Sequence, residues 1–198
     1  SELKKRGKNL NKAEIEILNN KVSSKEEDSL DADYLIDFNK YGDDKNEIGN
    51  FVLAFVSGFY TYKDNIVFDD FLDFWKGNPE SLSYITNLQE APNLILERHI
   101  YEILESIFGK YEGKRLRITD SMEEVKGILS SEEGVFSIIP FEQISKELKV
   151  FEINSCSVFD KKEERLEDYE LELGIGVNPE GDDTNGYNLF EDFDSSII

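Results

Sequence analysis

Two rhythms of apolar and polar positions alternate along the chain. Residues 51–59 (FVLAFVSGF) and 135–139 (VFSII) are almost uninterrupted apolar runs, the pattern of strands covered on both faces. Phe68, Phe71, Leu72 and Trp75 recur at helical spacing, and Gly77 and Pro79 stop that helix. Ile100, Ile103, Leu104, Ile107 and Phe108 form a second helical stripe, with Gly109 as its cap. Ser121 and Glu124 form a capping box before Val125, Ile128 and Leu129. Asn11 and Glu14 form another before Ile15, Leu18 and Val22. Residues 34–38 and 115–118 read as short strands. Tyr169, Leu171, Leu173 and Ile175 alternate with Glu170 and Glu172, which predicts a half-buried strand with an exposed acidic face. Strand and helix patterns interleave throughout, so the fold class is α/β.

The densest unit is residues 134–153. After the apolar run, Pro140 pre-sets φ for a first helical position, and Phe141, Ile144 and Leu148 recur at helical spacing over two turns. Residues 149–153 then return as a strand. The stretches IIPFEQISKELKVFEI and YELELGIGV follow FVSGFYTYKDNIVFDDFLDFWKGN and LERHIYEILESIFGK in the chain. Together, over roughly residues 30–177, they resemble the solute-binding-protein-like domain that precedes the catalytic domain in capsule or poly-γ-glutamate biosynthesis proteins. The resemblance implies a periplasmic type II solute-binding fold, a mixed sheet with flanking helices and a crevice between two lobes. The first strand of such a fold, with its serine-rich loop, is not identifiable before Asn11, so the first lobe reads as incomplete.

Composition narrows the function. Of 198 residues, 39% are hydrophobic and 12% aromatic, enough for a sizeable core. With 43 acidic against 22 basic residues the formal net charge is −21, a field that repels nucleic acid and anionic lipid. No apolar stretch is long enough for membrane insertion or for a signal sequence. Because the chain starts at Ser1, it reads as a trimmed segment of a longer protein. Residues 1–29 are expected to form a helix and an acidic loop, residues 30–177 the α/β domain, and residues 178–198 an acidic linker or tail.

Catalytic chemistry is sparse. Cys156 and His99 are the only residues of their kinds, which excludes a cysteine zinc site, a disulfide within the chain and a dinuclear metal centre of several histidines. His99 reads as a surface or satisfied core residue, and Trp75 as part of a helix face. Neither GxGxxG nor GxxxxGK occurs, and there is no nucleophile elbow. The segment 181–186 lacks the first ligand of a calcium loop. No cofactor, no metal and no enzymatic activity are expected. Ligand binding is assigned to loops past strand ends: Ser57, Tyr60, Thr61 and Tyr62 after the first apolar run, and the start of the segment at Phe141. Arg115 and Arg117 are the nearest cations for an anionic group, although their alternation with Leu116 equally suits a solvated face.

The sequence thus reads as a non-catalytic extracellular binding or scaffolding domain of the capsule or poly-γ-glutamate type. It would be tethered at the cell surface, with a following catalytic domain or a cell-surface component as partner. Two alternatives stand beside this: a small-molecule solute-binding receptor and an acidic protein-interaction module.

Overall fold

The structure is a computed structural model, and it describes residues 8–9, 33–40, 47–59, 63–159 and 169–180. The expected helix from Asn11 and the segment after Glu180 lie outside the described residues.

Ten strands and three α-helices are described. The strands are β1 (Lys8–Asn9), β2 (Asp33–Lys40), β3 (Glu47–Ser57), β4 (Asn65–Ile66), β5 (Asn93–Glu97), β6 (Leu116–Thr119), β7 (Val135–Pro140), β8 (Lys149–Val150), β9 (Glu152–Ile153) and β10 (Glu172–Glu180). The helices are α1 (Phe68–Trp75), α2 (Arg98–Phe108) and α3 (Met122–Ser131). The main sheet runs β2-β10-β3-β7-β5-β6, with β1 and β8 also paired to β3.

β3 organises the sheet because its two halves have different neighbours. Its first half pairs with β10, from Glu47 opposite Gly176 to Val52 opposite Glu172, and with β1 at Gly49 and Asn50. Its second half pairs with β7, from Leu53 opposite Pro140 to Ser57 opposite Phe136, and with β8 at Val56 and Ser57. Both β7 and β10 run antiparallel to it, whereas β5 is parallel to both β6 and β7. The long apolar run explains this placement. Residues 51–57 are all buried, as a strand with sheet on both edges and helices on its faces requires.

Register assigns the faces. Phe51, Leu53 and Phe55 share one face with Phe136, and helix α1 packs there: the rings of Phe55 and Phe71 lie edge to face at 5.5 Å, and those of Phe74 and Phe136 at 5.3 Å. Helix α2 joins α1 through Phe108 on Phe71 and Tyr101 on Trp75. Helix α3 covers the other face; Arg117 of β6 reaches Glu132 at its end with N···O of 3.1 Å. This is the arrangement that right-handed crossovers β5–α2–β6 and β6–α3–β7 produce. The helix ends follow the sequence signals. Ser121 accepts a hydrogen bond from the Glu124 backbone N–H, and Gly109 ends α2 at φ +78°, which glycine adopts without strain.

Three local expectations are corrected. The two-turn helix at Phe141 is a single 3₁₀ turn, Phe141–Gln143, after which Ile144 is extended, and Phe141 is 39% exposed. The strand over residues 149–153 is broken into β8, which pairs with β3, and β9, which pairs with β4. Glu172 is not on an exposed acidic face: it is 5% exposed and accepts a hydrogen bond from the Asn50 amide of β3.

Candidate solute-binding crevice

Parallel β5, β6 and β7 end together, at Glu97, Thr119 and Pro140, and so form one rim of the sheet. The chain leaves β5 towards β6 and leaves β7 towards β3, in opposite directions from neighbouring strands. Such a switch of direction opens a crevice outside the carboxyl ends of the strands, where open α/β sheets bind ligands. At this rim Glu97 is the residue preceding α2 and is 6% exposed. Register places it beside Thr119, whose hydroxyl lies 3.4 Å from the Leu96 carbonyl and 3.3 Å from the Ser121 carbonyl.

On the same face, where β3 passes into its first half, lie Asn50 and Glu172. The Asn50 amide nitrogen donates to a Glu172 carboxyl oxygen. Asn50 is 8% exposed, and its Oδ1 has no partner among the described residues. Past Pro140, the rings of Phe141 and Phe159 meet at 5.8 Å and both face solvent. His99 is half-buried, and its Nε2 is enclosed and without a hydrogen-bond partner among the described residues.

Two described cations near this rim are engaged. Arg98 pairs with Asp120 at 2.9 Å, and the Lys126 ammonium lies 3.2 Å from the Gln143 side-chain oxygen. Among the described residues the buried polar side chains are Asn50, Ser57, Glu97, Thr119, Ser137 and Glu172, and none of these is basic. No group of three or more His, Cys, Asp or Glu among the described residues is placed to hold a metal ion.

The residues singled out by the sequence fall on two opposite rims. Because β3 is antiparallel to β7, Ser57 sits opposite Phe136, while Pro140 sits opposite Leu53. Four residues of strand, about 13 Å, separate the two levels. Ser57 is fully buried and its hydroxyl donates to the Gly58 carbonyl at 2.9 Å. Tyr60, Thr61 and Tyr62 lie outside the described residues. Arg115 belongs to Ser57's rim: it donates to the Ala91 carbonyl at 2.8 Å and lies 3.7 Å from Glu90. Arg117 points to Glu132 on the α3 face. A cleft of about 480 Å³ opens at the Arg115 rim, between Asn93, Glu112, Lys114 and Arg115. It lies at the amino ends of β5 and β6, where no switch of strand direction supports a binding role. Glu97, Thr119, Asn50 and Glu172 were not singled out by sequence reasoning. The available signal was an acidic residue closing the apolar strand NLIL just before the helical stripe.

No protein-family model matches the chain, and no curated protein matches it in sequence. Solved structures do match. One is a crystal structure of an ABC-type phosphate transport receptor from Vibrio cholerae, with a TM-score of 0.61 at 13% identity over 91% of this chain and 76% of that one. Another, from Clostridium perfringens, is described as a phosphate ABC transporter substrate-binding protein with bound phosphate. It gives a TM-score of 0.53 at 10% identity, over 87% of this chain and 63% of that one. These neighbours overturn the capsule and poly-γ-glutamate resemblance, and with it the scaffold reading and the catalytic-domain partner. The motifs behind it prove to be scaffold: Trp75 is buried, Gly109 ends a helix and Pro140 closes β7. One neighbour is described as a transport receptor and the other as a transporter substrate-binding protein. The chain has the mixed α/β fold, a mixed sheet with flanking helices, of periplasmic solute-binding proteins.

Proposed function

We propose that the chain is a small-molecule solute receptor acting outside the cytoplasm, which delivers its solute to a membrane transporter. The observation that carries this reading is the switch of strand direction between β5 and β7, set beside the strand that joins the two halves of the sheet, in a fold shared with a transport receptor. Two buried polar side chains, Glu97 and Thr119, sit side by side on that rim, and a site that fixes a small ligand needs such placed polar groups. No helix among the described residues is long and apolar enough to cross a membrane.

The test is calorimetric titration of the full chain with inorganic phosphate, neutral sugars, amino acids and amines, with melting followed in parallel. Saturable binding of one of these, with a rise in melting temperature that grows with ligand concentration, is expected from mass action. No binding and no stabilisation by any member of the panel would remove the receptor reading. Salt-sensitive association with other acidic-surface-binding proteins in its place would favour the protein-interaction alternative.

A further inference from the structure

We draw no further inference here: the strongest candidate, the exposed ring pair of Phe141 and Phe159 just past β7, is an apolar surface patch, and nothing in the structure shows what covers it.

Discussion

The two rims of the sheet are built from the same strands and differ in what they bury. At the amino-end rim of β5 and β6, polar groups are consumed locally: Ser57 by its neighbour's carbonyl, Arg115 by Ala91 and Glu90, and the Tyr111 hydroxyl by the Arg115 backbone N–H at 3.3 Å. At the carboxyl-end rim, Glu97 and Thr119 sit side by side, and an exposed aromatic pair, Phe141 and Phe159, lies just past β7. The cleft of about 480 Å³ is at the first rim, and the buried pair Glu97 and Thr119 is at the second. Open volume at a surface is easily left by turns. Buried polar groups are costly to gather without a purpose, so they are the better guide to a site.

This contrast can be broken most severely at the strand that joins the rims. Phe55 stacks on Phe136 at 4.8 Å and meets Phe71 and Phe151 edge to face. Phe55→Ala should cost about 3–5 kcal/mol, read as a fall in the denaturant midpoint, because it removes a fully packed ring. A cost below about 1 kcal/mol would show that the two rims are not held by one core. Phe141→Ala, by contrast, should change stability little, since that ring is substantially exposed, and should weaken solute binding. Gly134→Ala probes the amino-end rim next. Gly134 has φ +69°, and an added Cβ would lie 2.5 Å from Leu88 Cδ1, so a loss of about 1–2 kcal/mol is expected with no change in solute affinity. A change in affinity there would move the site to the other rim.

Ser121→Ala removes the cap of α3 at the carboxyl-end rim and should cost about 1 kcal/mol in thermal or chemical unfolding. Arg115→Ala should cost roughly 0.5–1.5 kcal/mol for one hydrogen bond and leave solute binding intact. The smallest effect is in alkali. Burial holds the Tyr111 hydroxyl above its ordinary value of 10. Its contribution is fully present below pH 10 and is lost as pH rises past that value towards the folded-state pKa. Tyr111→Phe should therefore flatten slightly the decline of melting temperature above pH 10, and an unchanged decline would show that Tyr111 is not the group responsible.

Much of the scaffold was legible in the sequence because it depends on local spacing. The α2 stripe, the Ser121 cap and the apolar runs at β3 and β7 all emerge where their periodicity puts them. What was not legible depends on long-range pairing. Ser57 and Phe141 each follow a strand, and only the antiparallel register of β3 and β7 sends them to opposite rims. The alternation of residues 169–175 suggested one solvated face, but Glu172 is buried and bonded to Asn50, a partner on another strand that local spacing does not reveal. Pro140 did not begin a helix: it closes β7, pairing with Leu53, and the apolar Leu148 is buried from a non-helical connection. Glu97 escaped notice because an acidic residue before a helix ordinarily signals only a favourable dipole contact.

The shared strand β3 has a consequence for how the molecule comes apart. Its first half is hydrogen-bonded to β10 and β1 and its second to β7 and β8, with no break in the backbone between them. Neither half of the sheet can lose its central strand without stripping it from the other, so the described residues should melt in a single cooperative transition. Fragments divided on either side of β3 should not fold alone, yet a cut in the connection after it could leave two pieces that recombine, because the strand would stay whole.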